Sequence, residues 1–183
     1  TEGKAQEHVR QSHTLAKLLL TDVREAVSEM RDEGAIDLSG AIRTLVEGVP
    51  ALDIRLDMPE PLTIEDPERA HVLLRCTQEI ITNTVRHAGA RNLWLHCRRE
   101  GANILIDARD DGAGSPRVVA GNGLTGMRER LAQYGGELRI ETRPGQGFRL
   151  HIALPVSDAA PALAPLPVHP PEPTPELSSG GTP

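Results

Sequence analysis

The chain has 183 residues, 20 basic and 26 acidic side chains, and a net charge of −6. That length allows one domain with a real core plus extensions, and the acidic balance argues against a nucleic-acid partner. No stretch is apolar for long enough to span a membrane as a helix, and no secretory leader is recognisable. Because the chain opens within a helical pattern and without Met, it reads as a fragment, and a membrane segment upstream would leave no trace. Cys76 and Cys97 stand apart, without metal-ligand spacing, and read as reduced, buried thiols.

In chain order, residues 5 to 33 read as a long helix. Val9, Ala16, Leu19, Val23, Ala26 and Met30 recur in steps that form a seam for another helix, and Gly34 is the expected stop. Asp37 or Ser39 can cap a short helix that buries Ile42, Leu45 and Val46 and ends at Gly48. Residues 52 to 56 alternate as a half-buried strand does, and Pro59 and Pro61 break the chain after it. Asp66-Pro67-Glu68 is a helix start, with proline in the first turn and acids near the positive end. The helix it opens runs to about His87. Leu73, Thr77, Ile80, Ile81 and Thr84 lie on its apolar side, and Glu79, Asn83, Arg86 and His87 share the opposite stripe.

Alternation then predicts two strands, around Leu93 to Cys97 and from Asn103 to Arg109, with Gly101 in the turn between them. Trp94 reads as a packing or surface aromatic. Five glycines between Gly112 and Gly126 predict a loop that moves or lets a ligand approach its backbone. A helix is expected over residues 125 to 134, closed by Gly135-Gly136. Two alternating strands follow, carrying Leu138 and Ile140 and then Phe148 to Leu154, joined by a turn at Pro144-Gly145-Gln146-Gly147. From Pro155 onward proline and small residues dominate, and the segment reads as disordered or extended. Short strands interspersed with helices imply an α+β fold.

Three segments carry the chemistry. Gln78 to Ala90, QEIITNTVRHAGA, gathers a carboxylate, an amide, a guanidinium and an imidazole, which suit Mg²⁺ and phosphate. Asp110-Asp111-Gly112-Ala113-Gly114 closes an apolar strand. Gly121 to Arg130, GNGLTGMRER, opens a helix, and Gly145-Gln146-Gly147-Phe148 forms a tight turn beyond it. In this order and spacing the segments resemble the N box and the two glycine boxes of the histidine-kinase ATPase domain, the Bergerat fold. The NTVRHAGA and GNGLTGMRER runs are most similar to the NarX/DesK-like class of sensor kinases. The resemblance covers roughly residues 5 to 155.

The resemblance implies a two-layer α/β sandwich, with a mixed, mainly antiparallel sheet and helices on one face, preceded by a long helix. It divides the chain into residues 1–34, part of a dimerisation bundle; 35–156, an ATP-binding catalytic domain; and 157–183, a Pro/Ala-rich tail. It assigns ATP and Mg²⁺ as cofactors. Asn83 would coordinate the metal, and Glu79 would be the catalytic base or polariser. Asp110 would accept from the adenine amine, which guanine lacks, and Gly112 and Gly114 would let the backbone approach the base. Backbone N–H groups of Gly121, Gly123, Leu124, Thr125 and Gly126 at a helix start would meet the triphosphate, with Arg86 and His87 adding positive charge or hydrogen bonds. Phe148 stands where this class often has threonine, and is expected to pack near the adenine.

The implied function is that of a two-component sensor histidine kinase. The γ-phosphoryl would pass to a histidine and on to a LuxR/NarL-like response regulator, in a homodimeric, cytoplasmic protein whose parent can be anchored in the inner membrane. His8 is followed by Val9 and His13 by Thr14, whereas the family's acceptor histidine precedes an acidic residue. Neither takes that role, so the acceptor helix is read as absent and self-phosphorylation is not expected. A serine kinase of the anti-sigma type and a nucleotide-responsive interaction module are the alternatives on the same fold. No GxxxxGK[ST] sequence supports P-loop chemistry.

Overall fold

The structure, a computed structural model, describes residues 9, 31–32, 35–49, 51–118 and 121–156, with the side chains of 31, 32, 87 and 88 excluded. Most of the expected N-terminal helix and residues 157–183 of the proline-rich tail lie outside the described residues; the tail's expected start is corrected, since Pro155 ends the last strand and Val156 is buried, its N–H bonded to the Ala102 carbonyl. The far end of that helix reading is corrected. Arg31–Asp32 is strand β1, paired antiparallel with β2 (Ala35–Asp37), because Ile36 enters the core and takes the preceding chain into sheet pairing.

Helix α1 (Leu38–Glu47) starts at Asp37, whose carboxylate accepts from the Ser39 N–H at 3.0 Å, and ends at Gly48. Ile42 and Leu45 are buried along it. Strand β3 (Asp53–Asp57) follows, and β4 (Thr63–Ile64) completes a small sheet in the order β1-β2-β4. Helix α2 (Pro67–Asn83) is capped by Asp66, which accepts from the Glu68 and Arg69 N–H groups at 2.9 and 3.2 Å. Its expected apolar side is buried: Leu73, Thr77, Ile80 and Ile81, with Thr84 just beyond.

The main sheet has the order β3-β5-β6-β8-β7, with β5 (Asn92–Glu100), β6 (Asn103–Asp110), β7 (Glu137–Thr142) and β8 (Phe148–Pro155). Among the described strands only β3 and β5 run parallel. The fold is the expected mixed α/β one, with a mostly antiparallel sheet. Leu93, Leu95 and Cys97 of β5, Ile104, Ile106 and Ala108 of β6, and Leu150, Ile152 and Leu154 of β8 form the inner face. They pack with α2 residues such as Leu73 and Ile80, and with Met127 and Leu131 of helix α3 (Asn122–Ala132). Helix α3 begins three residues before the expected start. Cys76 and Cys97 are free and buried.

Candidate functional site

Strand β6 sets the first element. Its even-numbered residues face inward, so alternation delivers Asp110 to the core side at the strand end, where it is 3% exposed. One carboxylate oxygen, Oδ1, accepts from the Gly112 N–H at 2.9 Å and from the Phe148 N–H at 3.2 Å. The other, Oδ2, carries no hydrogen bond from the described residues. Burial pushes the Asp110 pKa up, the Gly112 and Phe148 amides pull it down, and the net shift is upward.

Asp111 turns the other way. Its carboxylate accepts from the Arg91 and Asn92 N–H groups at 2.8 and 2.9 Å and from the Asn92 side chain at 2.6 Å. Those bonds, led by the Asn92 side chain, hold its carboxyl below the ordinary range. They tie the start of β5 to the end of β6. Of the two aspartates, one is thus a structural clasp and the other a half-satisfied buried acceptor.

The hairpin between β7 and β8 closes on this point. Gly147 has φ +70°, and a Cβ there would overlap the Asp110 carbonyl oxygen and sit 2.7 Å from its Oδ1. Gly114 has φ +63°, and a Cβ would overlap the Arg143 carbonyl oxygen. Both positions therefore need glycine for conformation and for space. The Gly145 N–H donates to the Ala113 carbonyl at 2.6 Å. The Thr142 hydroxyl donates to the Gly147 carbonyl and accepts from the Ser115 N–H, both at 2.9 Å. No sequence signal marked Thr142, because its role depends on two loops meeting.

Helix α2 brings Glu79 and Asn83 onto one side, four residues apart, and both are half-buried. The Asn83 side chain makes no hydrogen bond with a described residue. The expected continuous stripe through Arg86 and His87 is corrected at this point. Thr84–Ala88 is a π-turn, closed by Gly89 at φ +60°. Its i→i+5 bonding adds a residue per turn, so α-helical spacing no longer sets where Arg86 and His87 lie relative to Asn83. Arg86 is exposed, and the His87 side chain lies outside the described residues.

Helix α3 approaches the same place from above. Gly121 is its N-cap and provides no side-chain cap. The first intrahelical bond is from the Thr125 N–H to the Gly121 carbonyl, at 3.1 Å. The N–H groups of Asn122, Gly123 and Leu124 therefore have no partner within the helix. These are the donors free for an anion, three residues earlier than a start at Thr125 would put them, while Thr125 and Gly126 lie inside the helix. A Cβ at Gly123 would overlap Oε1 of Glu79, so α2 and α3 touch at this point. Further along, the Arg130 guanidinium lies beside Gly126 and Cys76.

Asp110, Gly114 and Gly147 thus meet at one end of the sheet, and Glu79, one turn before Asn83, meets the open end of α3 in the helical layer. Residues 68–158 match the model of the histidine kinase-, DNA gyrase B-, and HSP90-like ATPase family. The catalytic domain fold agrees. The histidine kinase domain of a blue-light activated kinase from Erythrobacter litoralis superposes with a TM-score of 0.57 at 18% identity, over 82% of this chain and 75% of that one. The catalytic domain of the histidine kinase ThkA gives 0.53 at 17% identity, over 67% and 94%.

The chain belongs to this ATPase family, whose domain binds ATP, and within it to the NarX/DesK-like sensor histidine kinases. It is 32% identical over 165 residues to the sensor histidine kinase LnrJ of Bacillus subtilis, and 30% over 145 residues to DesK of the same organism. It is 32% identical over 163 residues to the histidine-protein kinase/phosphatase UhpB of Salmonella typhimurium. The matches take in 81%, 76% and 80% of this chain but only 38%, 38% and 31% of those relatives.

Proposed function

We propose that residues 35–156 are the ATP-binding catalytic domain of a two-component sensor histidine kinase, and that the site on α2, β6 and α3 holds Mg-ATP. The observation that carries this reading is the state of Asp110. One of its oxygens is locked by two backbone donors, and the other is left to accept from an exocyclic amine. Guanine presents a carbonyl there, which a carboxylate repels, so the site selects ATP over GTP.

The unbonded N–H groups of Asn122 to Leu124, at the positive end of α3, orient the triphosphate. Mg²⁺ fits the donor set, because the Asn83 amide is uncommitted and this ion keeps several waters beside one or two protein oxygens and the substrate phosphates. When bound it would neutralise charge on the transferring phosphoryl group. Glu79, one turn before Asn83, polarises the accepting imidazole. Arg86 and His87 add positive charge or hydrogen bonds toward phosphate.

The acceptor would be a histidine outside residues 35–156, and neither His8 nor His13 fills that role. A dimerisation bundle on the N-terminal side would end before Arg31, because Arg31–Asp32 pairs with β2 of the catalytic domain. The whole protein would be a homodimer passing phosphate to a LuxR/NarL-like response regulator from a cytoplasmic domain.

Calorimetric titration with ATP and GTP, with and without Mg²⁺, tests the reading on this chain and on Asp110→Ala. Binding of ATP but not GTP, lost in the variant, is the expected result. A folded chain that binds neither nucleotide, or an Asp110→Ala protein that still prefers ATP, would overturn it.

A further inference from the structure

Arg109 and Asp110 are neighbours on β6, so they emerge on opposite faces of the sheet. Asp110 serves the nucleotide side. Arg109 belongs to the outer face, which no described element covers. There the strand register builds one continuous row, Arg55–Trp94–Arg109–Arg149–Glu141, across all five strands. Trp94 is held between two guanidinium groups, those of Arg55 and Arg109, each 5.7 Å from the ring centre. Beside it opens a cavity of about 450 Å³ whose lining includes Trp94, Arg109 and Arg149.

The charges on this face divide into two groups. In the adjacent row the carboxylates are already held: Asp57 by His96 at 2.8 Å, and Asp107 by Arg98 and by His151 at 2.5 Å. Arg98 is also shared with Glu100. In the tryptophan row the arginines are not. Arg109 and Arg149 are direct cross-strand partners, a like-charge pair that costs stability. Neither has an ion pair with a described carboxylate, Glu141 opposite Arg149 included. Arg55 has only Asp53, at 3.7 Å. A chain that is acidic overall thus keeps uncompensated guanidiniums around an aromatic ring on one open sheet face.

We infer that this face is a docking surface for an acidic segment of a partner protein, whose carboxylates bridge Arg109 and Arg149 while its backbone or an apolar side chain covers Trp94. Arginine binds carboxylates with two parallel hydrogen bonds, and an acidic occupant would relieve the Arg109–Arg149 repulsion. Tryptophan and arginine in a shallow cavity are also the residues that most often dominate protein interfaces.

Trp94 is the sole tryptophan of the chain, so its emission reports on this surface alone. The experiment titrates the full chain with an octaglutamate peptide at low salt, with octalysine and inorganic phosphate as competing probes. Octaglutamate should give a saturable change in Trp94 emission. Arg109→Gln/Arg149→Gln should weaken it at least about tenfold, with Arg149→Gln alone intermediate. Arg43→Gln, a remote charge loss, should leave it unchanged. ATP affinity should stay at the wild-type value in all three variants, which separates this surface from the nucleotide site. Four results would overturn the inference: no saturable change, equal affinity in the double variant, an equal response to phosphate at the same concentration, or a Trp94 signal that changes with protein concentration alone.

Discussion

The Glu79 carboxylate lies against the Cα of Gly123, so the second turn from the end of α2 and the first turn of α3 share one contact. This contact sets how far the free N–H groups of α3 stand from Asn83. Only glycine permits it, because any Cβ would overlap Oε1. The side chain of Glu79 can swing aside, so the cost falls on the geometry of the site more than on the core. Gly123→Ala should weaken ATP binding about tenfold by calorimetry, in line with overpacking by one methyl, while urea unfolding shifts little. Adding Glu79→Ala should restore most of that loss. A double variant as weak as Gly123→Ala alone would show that Glu79 is not what the methyl meets.

A second prediction concerns the seam between the loop after β6 and the β7–β8 hairpin. Thr142 bridges the two with one hydroxyl, donating to Gly147 and accepting from Ser115. Its loss leaves both groups unpaired in a partly buried place. Thr142→Val should cost about 1–3 kcal/mol in urea unfolding. It should also weaken ATP binding, because Gly147 backs directly onto Asp110. Thr142→Ser keeps the hydroxyl and should behave as wild type in the binding measurement.

These contacts join segments far apart in the chain, so no local residue pattern encodes them. Alternation placed the inner face of the sheet correctly, and it already separates Asp110 from Asp111, since Ile104, Ile106, Ala108 and Asp110 share parity. Asp66-Pro67 announced the start of α2, and Asp37 with Gly48 bracketed α1, because capping residues act locally. The π-turn at Thr84–Ala88 has no residue-type signature, so α-helical spacing carries the expected stripe straight through it. Strands β1, β2 and β4 have two or three residues each, too few for a period of two to show. A start at Thr125 falls late because Gly121 at the N-cap and Gly123 in the first turn are poor helix formers, and at Gly123 the packing against Glu79 leaves no room for a side chain.

The outer face makes a third prediction through Asp107. Burial alone would raise its pKa, but hydrogen bonds from His151 and Arg98 outweigh that and bring it from 3.8 to about 2. A carboxylate whose folded pKa is depressed contributes stability above its unfolded value and loses it as pH falls through the folded one. Asp107 therefore contributes above about pH 3.8 and stops contributing near pH 2. Asp107→Asn should lower stability by roughly 1–2 kcal/mol at neutral pH, the group being only partly exposed. It should also flatten the fall in urea midpoint between pH 4 and 2. An unchanged acid limb in the variant would assign that fall to other carboxylates.

The two thiols give the last prediction. Cys76 on α2 and Cys97 on β5 are both buried, and burial pushes each up to about 12 from 9.0. At Cys76 the neighbouring Arg130 pulls the other way without reversing the shift. The thiolate is the nucleophile that attacks a thiol reagent, and the native protein scarcely forms it at neutral pH. An aromatic disulfide reagent should therefore label neither cysteine in the native chain and both after urea unfolding, with the native rate set by opening of the fold. The same shift fixes a sign in alkali. Above pH 9 the unfolded chain releases its thiol protons while the folded one retains them, so stability should fall as pH rises from about 9 toward 12. Cys76→Ala/Cys97→Ala should lose that part of the alkaline slope. Fast labelling of either thiol in the native chain would show that the layer between α2 and the sheet opens far more readily than its burial implies.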